Sequence, residues 1–434
     1  MNKHDSERVS GMLQKLGLVP VDTVADSDIT VFMTCCVREK ADERLLGQVA
    51  SMKNTPVRKE SPFGKRYVCI GGCIGQRDGQ ALLDQLGHVD LVFGTHNLNE
   101  FPLLLQECVE EGIRQASVRD GRADFPDNMP ESREHAWAAW LPITVGCNNF
   151  CSYCVVPYVR GREISRPFEE IATLAQTYVA EGVKEITLLG QNVNSYGRDL
   201  YGKPRFDDVL DAVSASGVDR IRFATSHPKD LTDSVIERFA TLNNLMPALH
   251  LPIQSGSDVI LQAMNRNYSA KHYLDLIEKL RQARPDIALS TDIIVGFPGE
   301  TEDDFLQTCE IVEQVGYTQV FTFIYSKRAN TPAAELVDNT PREVILERFE
   351  RLRTIVENGA LAANKTYEGQ RREVLFEGAA KKGTLVAAGK SEHGLTVHAE
   401  VESESLLESL KGSIVPVQID EAKTWYLVGK ILDS

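Results

Sequence analysis

Three cysteines within eight residues, Cys147-Asn-Asn-Phe-Cys151-Ser-Tyr-Cys154, carry the most evident chemistry in this sequence. Thiolates at this spacing can wrap a single metal centre. A structural zinc site normally takes four protein ligands, with a second pair further along the chain. No fourth Cys or His lies nearby in sequence here. Three thiolates and one open position suit a 4Fe-4S cluster whose fourth iron binds something else. Ligand count favours the cluster, and zinc stays open as the alternative. Cys35, Cys36, Cys69 and Cys73 make two further groups, so seven of the nine cysteines are clustered. Clustered thiols in a chain with no need of disulfide staples point to metal or redox chemistry. Cys108 and Cys309 fall in step with Leu104, Leu105, Phe305 and Val312 on apolar helix faces and read as core.

The elements that must position these thiols alternate between strand and helix. The first segment opens on a helix, with Val9, Met12, Leu13 and Leu16 at helical spacing and Gly17 placed to stop it. The runs ITVFMT, YVCIGG and LVFGT then alternate with helical patterns, which predicts a parallel sheet covered by helices. A polar stretch with Gly121, Pro126 and Pro130 reads as a linker, assigned to 119–136. Six strand candidates follow: LPITVG, EITLLGQN, DRIRFATS, ALHLPIQ, IALSTDIIVG and QVFTFIYS, separated by helices such as 167–182, 270–284 and 301–315. Six βα units are too few for a closed eight-stranded barrel, so a partial, open barrel is expected, with its active site at the carboxyl ends of the strands. The three-cysteine motif sits after the first of these strands. A charged helix over about 341–365 closes the region. Residues 371–434 offer five short strands without intervening helices, which reads as a small OB-like β-barrel of a kind that often binds RNA. The expected domains are 1–118, the linker, 137–366 and 367–434.

Composition agrees with a multidomain globular protein. The 434 residues exceed the usual ~150-residue domain about threefold. Hydrophobic residues are 42% and charged residues 25%, which excludes a largely disordered or collagen-like chain. No apolar run approaches the ~18 residues that would cross a bilayer, and the start is polar, so a cytoplasmic protein is expected. The net charge of −15 argues against a general nucleic-acid coat, although a local basic patch can still bind a phosphate backbone.

CxxxCxxC after a first strand, followed by six βα units, resembles the radical S-adenosylmethionine (SAM) superfamily. The resemblance is closer to its tRNA methylthiotransferases. The carrying segments are CVVPYVRGREISR (154–166), LLGQNVNSYG (188–197), TSHP (225–228), HLPIQSGSD (250–258) and DIIVGFPGET (292–301). In the first segment they are TCCVREKA (34–41) and Gly71-Gly72-Cys73, and the terminal barrel is similar to the family's RNA-binding TRAM domain. VREKA and CVVPYVRGREISR are most similar to the members that convert N(6)-isopentenyladenosine beside the tRNA anticodon to its 2-methylthio form. Members acting on threonylcarbamoyladenosine or on a ribosomal protein are the near alternative. A zinc-stabilised, non-catalytic RNA-binding protein is the alternative from a different class.

The resemblance implies a flavodoxin-like first domain whose first strand is missing here, a (βα)6 radical SAM barrel and a TRAM barrel. It implies two 4Fe-4S clusters. Cys147, Cys151 and Cys154 would hold the one that cleaves SAM. Cys35 and Cys73 match two of the three cysteines of an auxiliary, sacrificial cluster whose sulfur is methylated by one SAM and inserted after a second SAM yields the radical. The third family cysteine is absent, which leads to the expectation that the start given lies downstream of the true one. The rival is a two-cysteine variant recruiting Cys36 or Cys69, or an enzyme that cleaves SAM without inserting sulfur. Gln191 and Asn192 would meet the amino-acid part of SAM, and Asp292 and Gly296 its ribose and adenine. Arg160, Arg162 and Arg166, just past the cluster loop, are expected to meet RNA phosphate, with Lys381 and Lys382 as further candidates. For His227 and His250 a structural role and a site role are equally open. The implied partners are the tRNA anticodon stem-loop and a flavodoxin-type or reductase electron donor, with no membrane and a monomeric chain.

Overall fold

The computed structural model describes residues 1–35, 39–119, 129–381, 383 and 385–432. Cys36, the 120–128 portion of the expected linker and Lys382 lie outside the described residues. The chain forms two compact units. One comprises 1–134, 144–165 and 328–331; the other comprises 135–143, 166–327 and 332–434.

In the first unit, α1 (Asn2–Lys15) buries Val9 and Met12 and ends where Gly17 takes a positive φ of 85°. Four parallel strands follow in sequential order: β1 (Ile29–Thr34), β2 (Tyr67–Gly72), β3 (Leu91–Phe93) and β4 (Gln115–Ser117). The helices α2 (Glu39–Ser51), α3 (Cys73–Gln85) and α4 (Phe101–Glu110) connect them. Cys69 is fully buried on β2 beside Leu91, Phe93 and Cys108, and burial pushes its thiol pKa well up, so it packs as a hydrophobe. The described end of the linker is ordered against α1, with the Ser132 amide donating to the Glu7 carbonyl and His4 bonded to Glu131 at 2.9 Å.

LPITVG is not one strand. Its first part belongs to β5 (Ala138–Pro142) in the second unit, whereas Thr144–Val145 form β6, a two-residue strand of the first unit. Across the cysteine loop and the short α5 (Val156–Arg160), β6 pairs antiparallel with β7 (Ile164–Ser165).

The second unit continues with α6 (Phe168–Ala180), β8 (Glu185–Leu189), α7 (Arg198–Tyr201), α8 (Phe206–Ala215), β9 (Arg220–Phe223) and α9 (Asp233–Thr241). Then come β10 (Ala248–His250), α10 (Asp258–Ala263), α11 (Ala270–Ala283), β11 (Ala288–Val295), α12 (Glu302–Val315), β12 (Gln319–Ile324) and α13 (Arg342–Lys365). Parallel sheets β5-β8-β9 and β10-β11-β12 are joined by a parallel bridge from Ile221 to Leu245, giving the open six-stranded array. The strand predicted from ALHLPIQ stops at His250, because Pro252 has no N–H to give a ladder. Cys309 lies in the main core on α12, as its helical phase predicts.

The terminal barrel closes in the order β13-β14-β15-β17-β16, from β13 (Arg371–Ala379), β14 (Val386–Ser391), β15 (Thr396–Glu400), β16 (Ile414–Ala422) and β17 (Leu427–Ile431). One expectation fails here. A helix, α14 (Glu404–Leu410), interrupts the strands, capped by the Ser403 hydroxyl accepting from the Leu406 amide and burying Leu407 and Leu410. Within the unit the barrel is fastened to the amino ends of the strand array. Arg220 donates to the Lys390 and Glu373 carbonyls, Arg222 to those of Ser391 and Glu392, and Lys184 to that of Gly412.

Candidate functional site

In the first unit, the cysteine loop is shaped by its closing hairpin. Gly146 holds φ at 79°, and a Cβ there would stand 2.2 Å from the Arg162 carbonyl oxygen. The Cys147 amide donates to the Gly161 carbonyl at 3.1 Å and the Cys154 amide to the Cys151 carbonyl at 2.9 Å. The backbone of the loop thus turns back on itself, with Cys147 and Cys151 buried and Cys154 half-buried. Three soft donors in one tight loop form the donor set of an iron–sulfur site and are one ligand short of a closed zinc site.

Cys35 and Cys73 leave adjacent strands together. The register Thr34↔Gly72 makes them the next residues on β1 and β2. Gly72 has φ 88°, and a Cβ there would lie 2.7 Å from the Thr34 carbonyl oxygen, so only glycine lets the two strand ends approach. The pairing gives both thiols one locus at the carboxyl edge of the sheet.

Arg160 and Arg166 depart from expectation. Both are buried, at 5% and 4% exposure, and are already engaged inside the protein, so neither presents its guanidinium to an RNA backbone. Arg160 bonds Asp5 Oδ2 at 2.8 Å, Asn2 Oδ1 at 2.7 Å and the Cys73 thiol. Burial alone would raise the Asp5 carboxyl pKa; the Arg160 guanidinium outweighs it and holds the carboxyl below its usual range. In the second unit, Arg166 donates to the Pro142 carbonyl at 3.0 Å and to Glu170 at 3.4 Å. Sequence reveals a cation but not the through-space acceptor that claims it. Arg162 is exposed, 4.3 Å over the Phe150 ring, and Lys381 is exposed as well.

The carboxyl ends of β8 and β9 hold a set of buried polar side chains. Asn192 donates through Nδ2 to Asp230 Oδ2 at 2.7 Å, and Arg198 donates to the other Asp230 oxygen at 2.9 Å. The His227 amide donates to Asn194 Oδ1 at 3.1 Å, and the Lys229 amide to His227 Nδ1 at 3.2 Å. Thr225 between them adopts φ 70°, a strained value for a β-branched residue and of the kind that concentrates at ligand sites. Gln191 Oε1, Asn192 Oδ1, Asn194 Nδ2, Ser226 Oγ and His227 Nε2 are buried without a partner in the chain. Five such atoms in one place are what a polar ligand would satisfy, and they fit SAM. Asp230, Asn194 and Ser226 were not singled out from the sequence; their signal was proximity to the NVN and SHP segments.

Midway along β11, Asp292 lies 3.4 Å from His250 Nε2, and His250 Nδ1 bonds Ser290 Oγ at 3.0 Å. Gly296 takes φ 70° against Ile345, whose Cγ2 would be 2.7 Å from a Cβ. Its amide donates to Glu300 Oε2 at 2.8 Å. Burial pushes the Glu300 carboxyl up to about 7, partly opposed by that amide and by Arg348. A carboxyl raised on folding stabilises at low pH and loses its contribution as pH climbs through the folded value. Wild type is therefore expected to lose stability between about pH 4.5 and about pH 7, by about 3 kcal/mol at 1.36 kcal/mol per pKa unit. The Glu300→Gln variant keeps the Gly296 bond and lacks this slope. Thermal unfolding of both proteins across that range measures it, and parallel curves refute it.

Family models match in three places: the Radical SAM superfamily over residues 141–312, the TRAM domain over 365–432 and Uncharacterized protein family UPF0004 over 1–94. The chain is 43% identical to the tRNA-2-methylthio-N(6)-dimethylallyladenosine synthase of Carboxydothermus hydrogenoformans, across 100% of this chain and 97% of the relative. It is also 43% identical to the protein of the same name from Clostridium botulinum strain Loch Maree, across 99% and 94%. Among solved structures, TsrM, a radical SAM methyltransferase from Kitasatospora setae, superposes with TM-score 0.51 at 12% identity, covering 75% of this chain and 66% of that one, a likeness of fold. Among the described residues no helix is long and apolar enough to cross a membrane.

Proposed function

The chain belongs to the radical SAM methylthiotransferase family, and we propose that it methylthiolates carbon 2 of N(6)-isopentenyladenosine next to the anticodon of tRNA. The observation that carries this reading is the folded-back loop of Cys147, Cys151 and Cys154, three thiols with no fourth protein ligand nearby in sequence. A 4Fe-4S cluster on these thiols supplies one-electron cleavage of SAM to a 5′-deoxyadenosyl radical, and an auxiliary cluster supplies the sulfur.

The chain's own residues then have distinct tasks. Cys35 and Cys73 hold the auxiliary cluster from paired strand ends. Gln191 and Asn192 offer acceptors to the SAM ammonium, and Asp292 can accept from a ribose hydroxyl. Gly296, whose Cβ position Ile345 fills, would border the adenine through its backbone. Arg162, exposed, would meet phosphate, and the terminal barrel would bind RNA. Because the target base is unpaired, it can be splayed out and enclosed without opening a duplex. The functional divisions at 1–118, 137–366 and 367–434, a cytoplasmic location, a flavodoxin-type or reductase electron donor and a monomeric state complete the reading.

The test is nucleoside mass analysis of tRNA from cells lacking their own synthase and expressing this chain, with iron, sulfide and zinc counted in the anaerobically reconstituted protein. A 2-methylthio product on isopentenyladenosine, and iron rather than zinc, are expected. The modification on threonylcarbamoyladenosine or on a ribosomal protein would move the substrate, and zinc in place of iron would overturn the radical reading.

A further inference from the structure

Arg160 has no part in the reading above, yet it is a buried cation bonded to a proposed cluster ligand. It closes α5, a helix that begins two residues after Cys154. Val155 and Val159 share one core cluster with Cys73 and Ile74, so α5 packs on the start of α3. Both sides of this contact are pinned. The Thr95 hydroxyl donates to the Val159 carbonyl at 2.6 Å, and the Ile74 amide donates to the Thr34 hydroxyl at 3.2 Å. From there the guanidinium reaches three groups. Its Nη2 donates to Asn2 Oδ1 at 2.7 Å and to Asp5 Oδ2 at 2.8 Å, and it also bonds the Cys73 thiol. Five N–H donors on one rigid fork make that triple engagement possible, and lysine has no such fork. An ion pair that only fastened α1 to α5 would need Asp5 and Asn2 alone. The bond to Cys73 is surplus to that task.

The potential of an iron–sulfur cluster is set by its charge, by hydrogen bonds to its sulfurs and by exposure to water. Reduction adds one electron to the cluster. A buried cation, and an N–H on a ligand sulfur, stabilise the reduced form more than the oxidised one. We propose that Arg160, through its bond to Cys73, raises the reduction potential of the auxiliary cluster, and that Asp5 limits the rise by compensating part of its charge. Arg160 is thus a positioning residue that acts through a ligand. The inference rests on the proposed assignment of Cys35 and Cys73 to that cluster.

The experiment is a redox titration, with dithionite as the electron source, of the reconstituted full-length chain carrying Cys147→Ala, Cys151→Ala and Cys154→Ala. That background leaves the auxiliary cluster as the sole signal, read by electron paramagnetic resonance. Arg160→Gln with Asp5→Asn removes both charges and orphans neither, and is expected to lower the midpoint potential at unchanged iron content. Asp5→Asn alone leaves the cation uncompensated and is expected to raise it. Arg160→Lys keeps the charge but cannot span Asp5 and Cys73, so it lowers the potential by less than the double variant. A loosened fold would admit water in every variant and shift them all one way, so opposite signs belong to charge. Unmoved potentials, or shifts of one sign, overturn the proposal. Should the double variant lose iron, Arg160→Lys and Asp5→Asn decide by the same opposition of signs. A background chain that holds no iron would instead overturn the auxiliary-cluster assignment, and the inference with it.

Discussion

Replacing Cys147, Cys151 and Cys154 together with alanine is expected to abolish 5′-deoxyadenosine formation and to lower the iron content by about four atoms per chain. A cluster of this type is held by thiolates alone, and the loop offers no substitute. Its other side chains between 147 and 154 are Asn148, Asn149, Phe150, Ser152 and Tyr153, none of them a soft ligand. The expected loss is complete because these three thiols would hold the cluster that supplies the electron for SAM cleavage. Cys309→Ser is the control: this thiol is buried on α12 in the main core, and burial raises its pKa to about 11, so it offers no thiolate at neutral pH. It should cost stability and leave both iron and cleavage intact. Persistent 5′-deoxyadenosine in the triple variant would refute the assignment.

Arg160→Ala is expected to have the largest effect on stability. Asp5 and Arg160 are both buried and 2.8 Å apart. Removing one partner of a buried pair leaves the other charged and unsolvated, at a cost of about 3–5 kcal/mol. The loss should concentrate in α1 and the start of α3, because Arg160 also bonds Asn2 and Cys73. Hydrogen exchange read by mass spectrometry should therefore find faster opening of those helices than of α12. The double variant Arg160→Ala with Asp5→Ala should recover part of the loss, since no orphaned charge remains. The sign with pH follows from the depressed Asp5 carboxyl: its contribution is full above the ordinary aspartate value of about 3.9 and fades as pH falls below it. Unchanged exchange in α1 would mean that water or another group replaces the guanidinium, against the burial seen here.

Much of this protein follows from local pattern. The periods of apolar residues locate α1, the six strands of the array, α11, α12 and α13, because a helix or strand with one buried face must repeat at its own period. The cysteine loop is equally local: its three ligands lie within eight residues, so spacing alone brings them together. The breaks at Pro142 and Pro252 and the helix α14 are local too, and the signals were present in a proline without an N–H and in Ser403 three residues before Leu406.

Tertiary structure decided what depends on partners far apart in sequence. An arginine is a cation wherever it stands; whether it meets RNA or Asp5 depends on a residue 155 positions away. The pairing of Cys35 with Cys73 needed the β1–β2 register. The direction of Asn192 needed Asp230, and that of Asn194 needed the His227 amide. An amide side chain is both donor and acceptor, and a neutral imidazole likewise. Composition therefore leaves their polarity open, and only the groups packed against them settle which atom is left without a partner in the chain.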